Sequence, residues 1–449
     1  MTFVDMHDLP FVEPAPWPLR AYEAAARFAT PALRLHLNRR AARGKEDATR
    51  LGERWGESAA PRPEGPLLWA HAASVGECLA ALPVVEATLR RRADLSAIIT
   101  TGTRTSAAIC AERAPARARH LYAPIDAPQA VAAFLDHWRP DAGLFLESEI
   151  WPNLLRAARR RGIRLALLNG RMSARSARNW RRAARSARHL LGAFDLTSPQ
   201  SAEDGARLES LGARTTPPNP LKLAAAANLA PAPWPERPAI LAASIHPEDA
   251  PIIGDAWRRA RKARDDARLI LAPRHPERAE EIVAAMGAMD RPVHWRSTTD
   301  APSPECGVFV VDRIGELPRW IGASWGVALG GGGGSRGGHN PLEAAAGARP
   351  VAFGPDMANA RAAADALIGA GAAASFHDAE SLAEIIGGWL NHPAAARTAG
   401  AAGRAYIETE GRRGLDDAAA AVLSLLDRDA QRAAEPPSPS SPPPPASGP

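Results

Sequence analysis

The sequence predicts an α/β protein with two doubly wound parallel sheets in tandem. Three observations carry that expectation. Short apolar runs alternate with amphipathic helical stretches from residue 65 onward. The alternation stops in a proline-rich stretch at 215–238 and then restarts. The chain has 449 residues, 46% of them apolar, which exceeds one ordinary domain and suffices for two cores.

Residues 1–18 are proline-rich and read as irregular. Residues 19–43 read as one amphipathic helix, with Tyr22, Phe28, Leu33, Leu35 and Leu37 as apolar bulk and Arg20, Arg27, Arg34, Arg39, Arg40 and Arg43 as positive charge. Such a helix either lies in an anionic membrane interface or packs on its own domain with a solvated charged face. In the first half, strands are expected at Leu67–His71, Ala97–Thr101, Ala142–Glu147 and Arg164–Asn169. Helices are expected at Leu79–Arg92, up to about Arg113, Gln129–Trp138 and Trp151–Arg161. In the second half, strands are expected at Ala239–Ala243, Arg268–Leu271, Val308–Val311, Val327–Leu329 and Pro350–Phe353, with helix over 380–427. The end of the chain from about Gln431 is rich in Pro, Ser and Ala and is expected to be disordered.

The net charge of +6 suits an anionic substrate or lipid surface. No zinc-finger spacing, basic–aromatic stripe or RNA-recognition signature points to nucleic acid. Cys78, Cys110 and Cys306 are few and far apart, which argues against a disulfide framework and fits a reducing compartment. No signal-peptide pattern is seen, and no apolar run reaches the roughly 18 residues that a membrane span needs. Lysine occurs only at Lys45, Lys222 and Lys262 among abundant arginine, so a lysine inside a motif carries more information than an arginine.

Ligands of doubly wound sheets bind beyond the carboxyl ends of the strands. The clusters placed there are therefore the candidate chemistry. His71-Ala-Ala-Ser-Val-Gly-Glu77 puts Glu77 at a helix start, as a general base or as a cap on the helix dipole. Glu147-Ser-Glu-Ile-Trp-Pro-Asn153 puts two carboxylates at a strand end, either for chemistry or as caps of the next helix. Asn169 to Ser176 offers hydroxyls and arginines to an anion, or is a solvated loop. Ala272-Pro-Arg-His-Pro-Glu-Arg278 carries Arg274, suited to bidentate phosphate recognition. Asp312-Arg-Ile-Gly-Glu-Leu317 follows a strand in the same way. Gly330–Gly334 and then Gly337-Gly-His-Asn-Pro-Leu-Glu343 form a glycine-rich loop with an expected helix start at Asn340 and Pro341. Free backbone N–H groups there would bind a nucleotide phosphate, with Glu343 accepting from ribose hydroxyls, or the stretch is a flexible glycine loop. No metal-ligand spacing is present.

These stretches together resemble the Kdo (3-deoxy-D-manno-octulosonic acid) transferase family of lipopolysaccharide biosynthesis. The resemblance runs from about Arg39 to Arg412. It rests on Gly44-Lys-Glu46, Ala73 to Glu77, Thr100 to Thr103, Glu147 to Asn153, Asn169 to Ser176, Ala272 to His275, Gly315 to Leu317, Gly337 to Glu343, and Gly354-Pro355 with Asn359. It implies a GT-B fold, in which two Rossmann-like domains face a central cleft. It further implies inverting, metal-independent transfer of Kdo from CMP-Kdo to a lipid A precursor (lipid IVA), with no cofactor and no nucleic-acid partner. Glu77 matches the family's general base, and Glu147 and Lys222 match its transition-state stabilisers. Pro273, Arg274, Gly315, Glu316, Leu317, Asn340, Pro341, Leu342 and Glu343 match its CMP-binding segments.

The expected organisation is 1–56 as a membrane-associating segment, 57–225 as the acceptor domain, 226–428 as the CMP-sugar domain with C-terminal helices, and 429–449 as a disordered tail. The expected location is the cytoplasmic face of the inner membrane, peripherally attached to its anionic surface. The chain departs from the family at Asn219-Pro-Leu-Lys222, where Gly-Asn-x-Lys is usual, and at Ser244-Ile-His246 in place of Ser-Thr-His. A nucleotide-sugar epimerase sharing the two-domain fold is the alternative reading.

Overall fold

The computed structural model describes residues 14–219, 221–227, 232–334 and 336–434. They divide into two compact units. One comprises the described residues up to Leu221 together with those from Gly414 on, and the other runs from Lys222 to Arg413.

The first unit holds a six-stranded sheet: β1 Leu67–His71, β2 Ser96–Thr101, β3 Ala118–Tyr122, β4 Ala142–Leu146, β5 Arg164–Gly170 and β6 Leu196–Pro199. The order is β3-β2-β1-β4-β5-β6, parallel throughout. β1 and β4 are buried along their whole length. Alternate residues feed opposite faces. Leu68 and Ala70 join one core with Val84, Ile99 and Leu144, while Leu67 and Trp69 join the other with Phe134, Trp138 and Phe145. Cover on both faces is why these strands read as unbroken apolar runs.

The second unit holds seven strands: β7 Ala239–Ile245, β8 Arg268–Pro273, β9 Val293–Trp295, β10 Val308–Val310, β11 Gly326–Leu329, β12 Val351–Phe353 and β13 Ala373–Ser375. Their order is β13-β12-β11-β7-β8-β10-β9, again all parallel. Ile240, Ala242, Leu269 and Val308 pack beneath Trp257 and Ile386 on one face. Leu241, Ile270, Phe309 and Val327 pack with Trp320 and Ile321 on the other. In each sheet the winding reverses once, between β1 and β4 and between β7 and β11, and these are the two topological switch points.

Three expectations need correction. The single N-terminal helix is two, Trp17–Phe28 and Thr30–Ala42. The chain restarts at Thr30-Pro31, because proline is tolerated only in the first turn of a helix. Leu19 packs on Leu190, and Leu37 on Trp55 and Ala130, so these helices are partly docked on their own unit. The expected boundary near residue 225 falls after Leu221 instead. The final helix, Pro393–Ala434, passes from one unit to the other, and its Val422, Leu425 and Leu426 enter the first unit's core beside Val84 and Leu89. Helical periodicity reveals an apolar face but not which sheet it meets. Among the described residues, no helix is long and apolar enough to cross a membrane.

Candidate active site

In the first unit, the loops after β1 and β4 flank the switch point and carry the acids. Ser74 caps the helix Val75–Arg91 by accepting from the Glu77 N–H at 3.3 Å. The Glu77 carboxylate reaches back, accepting from the Ala73 N–H at 2.7 Å and from the Ser74 hydroxyl at 3.0 Å. This is the reciprocal logic of a capping box, shifted by one residue. Glu77 is therefore positioned by a structural motif and is only 8% exposed. Burial, then the charge of Glu149 and to a lesser degree Glu147, push its pKa above the ordinary glutamate range, against the bonds from Ser74 and Ala73.

Glu149 behaves oppositely. Burial alone would raise its carboxyl, but the nearby His71 imidazole, with the Trp151 indole N–H at 2.5 Å, holds it below the ordinary range. His71 Nε2 lies 3.4 Å from Glu149 Oε2, and His71 Nδ1 lies 2.9 Å from the Thr100 hydroxyl. A carboxylate at Nε2 demands hydrogen there, so in the neutral ring Nδ1 accepts from Thr100. Two neighbouring carboxyls are thus driven apart, one kept charged and one made more basic.

Glu147 and Asn169 close β4 and β5 with φ of 56° and 54°, the left-handed region that residues with a side chain seldom occupy. Asn169 Nδ2 donates to Glu147 Oε1 at 3.2 Å. Strain of this kind, at two adjacent strand ends, is characteristic of working sites. The helix Pro152–Arg160 is capped from elsewhere, since Asp126 accepts from the N–H groups of Asn153 at 3.1 Å and Leu154 at 2.8 Å. The reading of Glu147 and Glu149 as caps for that helix is therefore set aside. Ser173 caps Ala174–Arg181, leaving Arg171 and Arg175 exposed.

In the second unit, the switch-point loops follow β7 and β11. Asp249, 6% exposed, ties them together, because its Oδ2 accepts from the N–H groups of His246 at 3.0 Å and Gly331 at 2.9 Å. Asp356 accepts from the Gly337 N–H at 2.8 Å, and Asn359 Nδ2 donates to the Arg336 carbonyl at 2.7 Å. The glycines are needed where they stand. Gly331 has φ 78° with the His339 ring 2.9 Å from where a Cβ would sit, and Gly337 has φ 79° with Asn359 Nδ2 at 2.5 Å.

The phosphate cradle expected here is narrower than the sequence suggested. Gly331 and Gly337 give their N–H groups to Asp249 and Asp356, Gly338 gives its own to the Gly331 carbonyl, and Leu342 gives its own to Asn340 Oδ1. The helix spans only Leu342–Ala346, with Pro341 as its cap, so its dipole is slight. The side chains around this loop are basic. Arg274 is exposed at the end of β8 after Pro273, Arg336 pairs with Glu248, and His246 and His339 meet at 3.0 Å between their Nε2 atoms. Burial first, then the neighbouring His246 imidazole and the guanidinium charge of Arg274, keep His339 below the ordinary histidine range. His246 is lowered by burial and by Arg336.

Of the remaining expected contacts, Asn340 and Glu343 are exposed, while Pro341 and Leu342 are buried, Leu342 beside Leu223. Glu316 is already engaged, accepting from Arg296 Nε at 2.8 Å and Trp320 Nε1 at 3.2 Å. Its carboxylate steadies the loop, and open space at Gly315 (φ 89°) leaves the backbone accessible just before the helix that Leu317 begins. Lys222 is the second residue of the helix Leu221–Ala227, and its side chain lies outside the described residues. Sequence reasoning missed Asp249 and the roles of His71 and His246. Each acts through a partner distant in the chain, and only the nearby Ser74–Glu77 spacing carried a local signal.

Residues 49–224 match the family model described as 3-deoxy-D-manno-octulosonic-acid transferase (Kdo transferase). The 3-deoxy-D-manno-octulosonic acid transferase of Bordetella pertussis is 34% identical over 418 residues, 88% of this chain and 97% of that protein. That of Rickettsia bellii (strain RML369-C) is 32% identical over 353 residues, 76% and 84% of the two chains. Among solved structures, a putative UDP-N-acetylglucosamine 2-epimerase from Listeria monocytogenes aligns with a TM-score of 0.53 and 12% identity, covering 82% of this chain and 97% of that one. At that identity the likeness bears on fold alone, and it agrees with the GT-B class. The identity and coverage of the curated relatives settle the family: the chain belongs to the Kdo transferases.

Proposed function

We propose that this Kdo transferase uses CMP-Kdo as donor and a lipid A precursor (lipid IVA) as acceptor, with inversion, without a metal ion and with Glu77 as general base. The observation that carries the reading is the state of Glu77. It is buried at the switch point of the first sheet, beside Glu149 and Glu147, and makes no ion pair among the described residues. A base poised above the ordinary carboxylate range is matched to removing a proton from a sugar hydroxyl near neutral pH.

In the proposed reaction the acceptor oxygen attacks the anomeric carbon of Kdo on the face opposite the phosphate. Its proton passes to Glu77, the anomeric carbon–oxygen bond to phosphate breaks, and CMP departs. Negative charge develops on the leaving phosphate. Arg274, the His246–His339 loops and Lys222 are the groups assigned to meet it, and Glu147 is assigned to the developing positive charge on the sugar. Asn340 and Glu343 are assigned to the nucleotide, together with the backbone from Gly315 to Leu317.

The membrane attachment proposed is peripheral, at the cytoplasmic face of the inner membrane. Trp17 (73% exposed), Phe28 (83%) and Leu35 (51%) stand on the N-terminal helices among the exposed Arg20, Arg27 and Arg39. That pairing of apolar anchors with arginine suits an anionic lipid surface.

The test is to incubate the purified protein with CMP-Kdo and a tetraacylated lipid A precursor and weigh the lipid. A gain of one or more Kdo residues is expected. An unchanged lipid mass with intact protein overturns the acceptor assignment, and isomerised sugar nucleotide without lipid product would favour epimerase chemistry.

A further inference from the structure

The two histidines of the second unit come from opposite sides of its switch point, His246 after β7 and His339 after β11. Their planes differ by 14°, their Nε2 atoms lie 3.0 Å apart, and their ring centroids are 5.2 Å apart. The centroid separation is about the length of the bond plus the radii of both rings. The imidazoles therefore meet head to head in a nearly common plane. Two N–H groups cannot face each other at this distance, so one Nε2 donates and the other accepts. In the neutral pair, the outer Nδ1 of the donating ring is an acceptor and that of the accepting ring is a donor. One added proton turns both outer ends into donors and places a positive charge on the pair.

We infer that His246 and His339 act as one proton-sharing unit that takes up a proton when the anionic donor binds, and thereby becomes a cationic ligand for its phosphate or carboxylate. This rests on the reading of the second unit as the CMP-Kdo site.

The surroundings set the sign. The Asp249 carboxylate holds the His246 backbone N–H at 3.0 Å, and Glu248, Arg336, Arg274 and His275 are the other charged or titratable groups that bear on the pair. The His275 ring lies 5.9 Å from that of His246. Without ligand, burial and the two guanidinium groups outweigh the two carboxylates, and both imidazoles sit below the ordinary histidine range. An entering phosphate opposes the guanidinium field, so the protonated pair is favoured in the complex. Gly331 is the residue that lets the His339 ring lie against the loop.

The experiment is calorimetric titration of the full-length protein with CMP at pH 7.5, in two buffers of different ionisation enthalpy. The unaltered protein and the variants His246→Gln and His339→Gln are compared, since glutamine keeps a hydrogen bond but takes no proton. Proton uptake approaching one per CMP is expected for the unaltered protein. The variants should show little uptake beyond that of the CMP phosphate itself and a severalfold weaker affinity. The unaltered protein's affinity should also fall by up to about tenfold per pH unit as pH rises between the pKa values of the free and bound pair. Equal uptake in all three proteins, or none in the unaltered one, overturns the inference. Failure of the unaltered protein to bind CMP overturns the donor-site reading and the inference with it. Should the variants misfold, imidazole nitrogen resonances of the unaltered protein decide the matter. The pair must change from neutral to singly protonated on adding CMP, and a pair neutral in both states contradicts the proposal.

Discussion

The two sheets share parallel strands and a single reversal, yet their carboxyl edges are furnished differently. The first presents carboxylates, Glu77, Glu147 and Glu149, held by a helix cap, a histidine and two strained strand ends. The second presents imidazole, guanidinium and glycine backbone, fastened by the buried Asp249 and by Asp356. A surplus of buried acid raises a carboxyl and makes a base, whereas arginines around neutral imidazoles favour an anion. The difference between the two edges lies in the loops, and it is what the proposed roles of base and phosphate holder rest on.

That contrast can be broken from either side. The largest effect is expected for Glu77→Gln, which keeps the acceptor atom for Ala73 but removes the proposed base. Transfer should fall by about 10²–10⁴-fold, measured as initial rate of product formation. Next is Gly337→Ala, which places a Cβ against Asn359 at a φ of 79°. The left-handed penalty of about 1–2 kcal/mol, with the clash, should weaken CMP binding by roughly ten- to a hundredfold in calorimetry.

A smaller effect is expected for Glu149→Gln. With Glu77 as the proposed base, the acidic limb of kcat/KM should report its protonation and lie above the ordinary glutamate range. Glu149 raises that pKa, so neutralising it should move the limb to lower pH, and a limb that stays in place would detach Glu149 from the base. The smallest effect is expected for the pair Trp17→Ser and Phe28→Ser. Co-sedimentation with anionic vesicles should drop severalfold while turnover on detergent-dispersed lipid changes little.

Much of this is legible in the sequence. The buried central strands β1, β4, β5, β7 and β8 announced themselves because cover on both faces leaves continuous apolar runs. Unforeseen were β3, β6, β9 and β13, which are the four edge strands. Partial exposure at an edge admits residues such as Arg119 and His294, and the apolar signal disappears. The site follows the same rule. Glu77 and Glu147 were legible as acids at the ends of buried strands. The His71–Glu149 and His246–His339 pairs join residues 78 and 93 apart in sequence, and Asp249 acts through backbone N–H groups, so no local spacing could signal them.

The division of labour between the two edges is tested most directly by the CMP affinity of Glu77→Gln, measured on the same preparation as its transfer rate. Affinity within about twofold of the unaltered protein is expected alongside transfer reduced at least about a hundredfold. Transfer near the unaltered rate, or a loss of CMP binding that parallels the loss of transfer, would contradict it.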